Sequence, residues 1–266
     1  MRPKNTYIIL GPIETNIVAR LTYEKKAIVT AEDLDRLFNL SPENRKQIVF
    51  RLKKKRILSP IKRGVYVFSP LEAGPEGMGV DELLIPPLFF PTKNYYVGYS
   101  TMFNYYGFTE QLFQTVYVLN TTKRMEKVIC GLSYKFIKIS ENRMYGIEKI
   151  KLKDAEVNIS SKERTLIDLI YFNKPVGGIA GASRIFTEII NNDKCNIKKL
   201  VEYAVWFFNI TTRKRIGLIL DDAGISENIL KPLTKSIEKT SISSLNGSRK
   251  GTLNKKWRAI VNDSRK

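Results

Sequence analysis

Two helix-start signals only eleven residues apart, at Thr30 and at Ser41-Pro42, constrain the fold of this chain more than any other feature. A Ser or Thr side chain at such a position accepts a hydrogen bond from a backbone N–H of the first helical turn, and Pro just inside has its φ already set. Helices begun this close together must be short. Pro12 marks an earlier start, followed by Ile13, Ile17 and Leu21 at four-residue spacing. Behind Thr30, the carboxylates of Glu32 and Asp33 suit the positive end of a helix, and Leu34, Leu37 and Phe38 supply its apolar stripe. The third helix buries Ile48, Val49 and Leu52. Ser59 to Phe68 then reads as two short strands about a turn containing Gly64. Three short helices and a hairpin predict a winged helix-turn-helix over residues 1–69.

The rest of the chain reads differently. Residues 70–94 are expected as a linker, because Pro70, Pro75, Pro86, Pro87 and Pro91 stand there with Gly74, Gly77 and Gly79, with a helical turn allowed at Asp81–Leu84. From Tyr95 onward the pattern is mixed. Val116–Leu119 and Tyr134–Ile139 have the β-branched and aromatic content of strands, while Ser160–Ile170, Lys198–Phe208 and Thr212–Leu220 read as helices. No internal repeat is present. The expected fold class is therefore α+β: an N-terminal winged helix-turn-helix and a mixed α/β C-terminal domain over 95–266. The stretch from Leu245 carries seven Lys/Arg against one Asp and reads as a basic tail.

Charge narrows the partners. The 266 residues hold 45 Lys and Arg against 26 Asp and Glu, a formal net charge of +19, which calls for a polyanion. A membrane is the weaker choice. No apolar run approaches the roughly 20 residues that span a bilayer, and Leu83–Phe90 is broken by Pro86 and Pro87. The start, Met1-Arg2-Pro3-Lys4-Asn5, has no signal-type apolar core after it. Cys130 and Cys195 stand 65 positions apart, with neither disulfide-framework nor metal spacing, so a reducing cytoplasm is the expected compartment. The chain has no histidine. That removes Ser-His-Asp and Cys-His nucleophiles, His general bases and His-containing zinc sites together. No cofactor, metal site or catalytic residue is expected.

Residues 1–69 hold fifteen Lys/Arg and six Asp/Glu, an excess of 15 − 6 = +9, and Ser41–Arg63 holds nine cations against Glu43 alone. With Ile48, Val49 and Leu52 turned inward, the 100° step of a helix turns Glu43, Lys46, Gln47, Phe50 and Lys54 outward, with Arg51 and Lys53 flanking. Such a face suits the major groove of duplex DNA. Asn44 and Gln47 fit an adenine edge, and Lys46 or Arg51 fits guanine or phosphate. Arg45 lies toward the core side but stands in the first turn, within reach of a phosphate. Ser41 caps the positive helix end, and Lys62 and Arg63 at the hairpin tip fit the backbone beside the groove. Phe50 calls for a thymine methyl or a covering domain.

In the second domain, Ser160-Ser161-Lys162-Glu163-Arg164-Thr165-Leu166-Ile167-Asp168 is the most suggestive cluster. Arg164 and Asp168, four apart, can pair along one helix face, whereas Glu163 and Asp168 do not share one. A capped helix start with an internal ion pair is preferred over a catalytic carboxylate pair. Gly74-Pro75-Glu76-Gly77-Met78-Gly79 lacks the Lys-Ser/Thr ending of a phosphate loop. Tyr95, Tyr96, Tyr99, Phe103, Tyr105, Tyr106 and Phe108, and Trp206-Phe207-Phe208, are expected in the core. Arg213-Lys214-Arg215 is expected as a solvated patch.

Several stretches, in order, resemble the AbiEi family, antitoxins of the type IV abortive-infection toxin–antitoxin systems. They are Arg63-Gly64-Val65-Tyr66; Tyr99-Ser100-Thr101-Met102; Tyr106-Gly107-Phe108-Thr109-Glu110-Gln111; Val116-Tyr117-Val118; Ser160 to Asp168 with Gly177-Gly178; Arg215 to Leu220; and Trp257 to Asn262. The resemblance implies a transcriptional repressor of its own two-gene operon, binding inverted repeats in the promoter through the winged helix. It implies a second domain that counters a partner toxin of nucleotidyltransferase type without needing to touch it. The pattern departs from the family at Asn104-Tyr105-Tyr106, where a histidine is expected near the glycine, and at Lys55-Arg56-Ile57, where a glycine is expected before the wing. Inverted repeats call for two copies of the protein. A nucleic-acid-modifying enzyme and a winged helix that docks protein or RNA are the alternatives.

Overall fold

The structure is a computed structural model that describes residues 8–73, 81–153, 155–245 and 250–261. It is a mixed α and β fold, and the chain divides into two compact units: residues 1–85 with 128–132, and residues 86–127 with 133–266.

The first unit opens with α1 (Pro12–Tyr23), β1 (Ile28–Thr30), α2 (Ala31–Phe38) and α3 (Pro42–Lys54), then β2 (Leu58–Lys62) and β3 (Val65–Phe68). The caps behave as their chemistry requires. Thr30 accepts from Asp33 N–H, whose carboxylate accepts from Thr30 N–H in return, each at 3.0 Å, and Ser41 accepts from Asn44 N–H at 3.3 Å. The strands form an antiparallel sheet in the order β1-β3-β2. Ile17, Leu21, Val29, Leu34, Ile48, Val49, Leu52 and Phe68 share its core.

One buried carboxylate ties the first helix to the third. Glu14 is 2 % exposed, accepts Gly11 N–H at 3.2 Å and Arg51 Nε at 2.5 Å, and is also paired with Lys55. Burial alone would push this carboxyl up, but the hydrogen bonds from Lys55, Arg51 and Gly11 outweigh it and hold the pKa below the usual carboxylate range.

Within the expected linker, a helical turn forms at Asp81–Leu84, where one was expected. Asp81 accepts Leu83 N–H at 2.9 Å at the head of a 3-10 turn over Glu82–Leu84, a second turn covers Pro86–Phe89, and Leu83, Leu84, Ile85, Phe89 and Phe90 are buried. Prolines here start tight turns and need not mark a free chain. Gly74–Gly79 lies outside the described residues.

The second unit is built on a six-stranded sheet in the order β6-β7-β5-β4-β9-β8. Its strands are β4 (Tyr95–Gly98), β5 (Thr115–Asn120), β6 (Met125–Ile129), β7 (Leu132–Lys138), β8 (Ile147–Leu152) and β9 (Ala155–Ser160). β4 lies inside, antiparallel to β5 and parallel to β9, and all four of its residues are buried. Helix α4 (Ser100–Tyr105) follows β4. After β9 come α5 (Lys162–Tyr171), α6 (Gly178–Asn191), α7 (Ile197–Trp206), α8 (Ile210–Asp222) and α9 (Glu227–Ile237). They enclose a core of Phe103, Leu166, Phe186, Leu200, Leu220 and Trp257. The expected basic tail, where described, is folded. The strands β10 (Ser243–Ser244), β11 (Thr252–Asn254) and β12 (Ala259–Val261) form a small sheet, and Trp257 is fully buried with its Nε1–H on Asp221 at 3.0 Å.

Arg164 and Asp168 do pair along α5, at 3.3 Å, and both are buried. Ser160 belongs to β9; the helix is capped by Ser161, which accepts Arg164 N–H at 3.3 Å. The guanidinium also donates to the carbonyls of Arg143 and Tyr145 at 3.1 Å each and to the Tyr96 hydroxyl at 2.9 Å.

Two predictions follow from these buried charges. Arg164→Met strands the Asp168 carboxylate, so it should cost about 3–5 kcal/mol in chemical denaturation. Adding Asp168→Leu should cost no more than the single change, and a clearly less stable double variant would refute this account of the pair. Glu14→Gln should cost about 1–3 kcal/mol above pH 5, through the lost charge-assisted hydrogen bonds. Because the folded carboxyl is depressed, its contribution is present above the unfolded pKa and is lost as pH falls through the folded one. Wild-type and variant unfolding curves measured against pH should therefore converge on the acid side.

Candidate nucleic-acid interface

Helix α3 presents the candidate face. Pro42 and the Ser41 cap fix its start, and Ile48, Val49 and Leu52, each at most 7 % exposed, anchor its inner side. It ends on Arg56 at φ 58°, with Arg56 N–H on the carbonyl of Lys53 and Ile57 N–H on that of Leu52, each at 3.0 Å. This is the left-handed closure that usually takes glycine. An arginine fills the place of the expected glycine, and the helix end keeps its ordinary geometry.

Glu43, Asn44, Lys46, Gln47, Phe50, Lys53 and Lys54 are all exposed. At the hairpin between β2 and β3, Lys62 and Arg63 are exposed beside Gly64, whose φ of 72° makes the tight turn. The structure thus places Asn44, Lys46, Gln47, Lys54, Lys62 and Arg63 in one unit with their side chains at the surface.

Three of the expected contact residues have partners within the protein. Arg51 is held by Glu14 and so braces α3 against α1. Arg45 is paired with Asp35 of α2. The Ser41 hydroxyl caps its own helix, as its position predicts. Sequence reasoning missed the two ion pairs because the partners are remote: Glu14 lies 37 residues before Arg51 and Asp35 ten before Arg45. The one available signal was Glu14, a carboxylate in the first turn of α1; Asp35, in the middle of α2, gave none. The strand β1 was also missed. Three residues carry no periodicity, and Ile28–Thr30 becomes a strand only through its pairing with β3.

In the second unit the candidate carboxylates have partners within the protein. Glu163 accepts Asn196 N–H at 3.1 Å and pairs with Lys199 at 3.3 Å, while Asp168 pairs with Arg164. Asn104 donates to the carbonyls of Thr109 and Gln111, and Tyr106 donates to that of Ser160 at 2.9 Å. Arg213-Lys214-Arg215 is not a solvated patch. Lys214 is fully buried, paired with the Ser241 carbonyl and donating to Ser243 Oγ and the Arg258 carbonyl at 3.1 Å each; Arg213 and Arg215 donate to the carbonyls of Phe207 and Leu245. The aromatic expectation holds for Tyr95, Tyr96, Tyr99, Phe103, Phe108 and Phe207, but Trp206 is 53 % exposed, and Tyr105 and Phe208 are exposed as well. Among the described residues no group of acidic, cysteine or histidine side chains could hold a metal ion, and no helix is long and apolar enough to cross a membrane.

No protein-family model and no curated protein matches this sequence. Among solved structures, the chain is similar to that of the RV2827C protein from Mycobacterium tuberculosis. The TM-score is 0.66 over 97 % of this chain and 94 % of that one, at 12 % sequence identity. At that identity the likeness is one of fold.

Proposed function

We propose that this protein is a DNA-binding transcriptional repressor that reads its own promoter with the first unit. The observation that carries the reading is the outer face of α3. Lys46, Gln47 and Lys54 are exposed along a helix whose opposite side is anchored in a core, and the hairpin turn with Lys62 and Arg63 lies in the same unit. The element order helix, strand, helix, helix, strand, strand is the one expected of a winged helix-turn-helix, with α3 as recognition helix and β2–β3 as wing. In this reading Gln47 and Asn44 serve base edges, and Lys46, Lys54, Lys62 and Arg63 serve guanine or phosphate.

Charge supports a polyanion partner for the whole chain. Residues 1–85 hold fifteen Lys/Arg and ten Asp/Glu, 15 − 10 = +5, and residues 128–132 add none, which leaves 19 − 5 = +14 for the second unit. The AbiEi resemblance extends the proposal: the repressor is the antitoxin of a type IV toxin–antitoxin pair, binds inverted repeats as two copies, and opposes a nucleotidyltransferase-type toxin in the cytoplasm.

The test is binding of the full chain to a duplex from its own promoter and to a scrambled duplex, at rising salt. The promoter should win at physiological salt by about 4 kcal/mol or more. Lys46→Gln and Lys62→Gln should each lower the slope of log affinity against log salt by about 0.9. Equal binding to both duplexes, with slopes unmoved by either variant, would overturn the reading.

A further inference from the structure

Phe50 stands where an apolar side chain is hardest to explain. It is 67 % exposed, while Ile48, Val49 and Leu52 of the same helix are at most 7 % exposed. Steps of 100° put Phe50 about 150° from the centre of that buried face, three residues after Gln47 and four before Lys54. It therefore occupies the middle of the exposed arc, with Glu43, Lys46, Gln47 and Lys54 around it. Exposed single aromatics are ordinary on a protein surface. A phenyl ring at the centre of a cationic helix face is a narrower case, because whatever the cations recruit must bring an apolar group to that point.

We infer that Phe50 is a specificity-determining residue that contacts the C5-methyl group of thymine in the major groove. The inference rests on the DNA reading above and adds a base identity to it. The surrounding cations select a polyanion, and on the major-groove edges of the four base pairs the thymine methyl is the apolar group presented. Hydrogen-bonding side chains at this position would read an amide or carbonyl edge; a phenyl ring cannot. A ring on the helix arc opposite the core reaches outward without disturbing the core, and it fits a contact that gains by excluding water from one methyl group.

The experiment uses the full-length protein and the promoter duplex made twice, once with thymine and once with uracil, which differs only by that methyl group. Wild-type protein should bind the thymine duplex about fourfold more tightly, the worth of one buried methyl. Phe50→Ala should bind both forms equally, with an unchanged melting temperature because the side chain is outside the core. Phe50→Leu should retain part of the preference. If wild type prefers the promoter over a scrambled duplex yet ignores the methyl group, or if Phe50→Ala keeps the preference for thymine, this inference fails and the repressor reading stands. If wild type shows no preference for the promoter, the repressor reading fails and this inference falls with it.

Discussion

The second unit is organised around one buried cation. Arg164 is 1 % exposed, so its guanidinium must find every acceptor inside the protein. Those acceptors come from three places: Tyr96 on β4, the carbonyls of Arg143 and Tyr145 in the loop before β8, and Asp168 one turn along α5. A planar fork of five donors can serve such a spread, where an ammonium would not. The ring of Tyr145 lies 4.5 Å from the guanidinium carbon, and those of Tyr96 and Phe207 5.5 Å from it. Burial works against the charged form, but Asp168 and the tyrosines Tyr96 and Tyr145 outweigh it, so the side chain stays protonated. The packing also dictates Gly146. A Cβ there would stand 2.9 Å from that of Arg164, on backbone at φ 63°.

The same use of basic side chains recurs, and it changes what a net charge of +19 means. Lys214, Arg213 and Arg215 donate to main-chain carbonyls of segments with little regular hydrogen bonding of their own, at Phe207, Ser241, Leu245 and Arg258. In the first unit, Arg51 and Lys55 close on Glu14, and Arg45 closes on Asp35. A run of cations in the sequence is thus partly internal wiring. Only part of it is surface charge.

The local rules carried the first unit well. Caps, Pro at the first turn and the Ile48, Val49, Leu52 spacing define α2 and α3 from neighbours in the chain, so they were legible. So were the hairpin around Gly64 and the Arg164–Asp168 pair, each settled within a few residues. What was not legible depends on distance. Glu14 meets Arg51 across 37 positions, and Lys214 meets Arg258 across 44. Trp206 was expected inside because it adjoins Phe207, yet the two fall on opposite sides of a helix end, one 53 % and the other 1 % exposed. In 81–94 the prolines mark the turns, and the apolar residues Leu83, Leu84, Ile85, Phe89 and Phe90 mark what is buried.

Setting the ion-paired cations apart sharpens the candidate interface. Of the nine between Ser41 and Arg63, Arg45, Arg51 and Lys55 are pinned by carboxylates of α1 and α2. Their work is to fix the pitch and rotation of α3, since each ties the helix to a neighbour at a different point along its length. Readout of bases needs such a helix: a side chain that reaches a groove edge contributes specificity only if its backbone is held, otherwise the gain is spent on ordering. The split follows position on the helix. Cations beside the buried face brace it, while the arc opposite the core, with Lys46, Gln47, Phe50 and Lys54, is left to the solvent. With Glu43 at its start, that arc mixes a carboxylate, two ammonium groups, an amide and a phenyl ring. A surface that served only to attract phosphate would have no use for the last two.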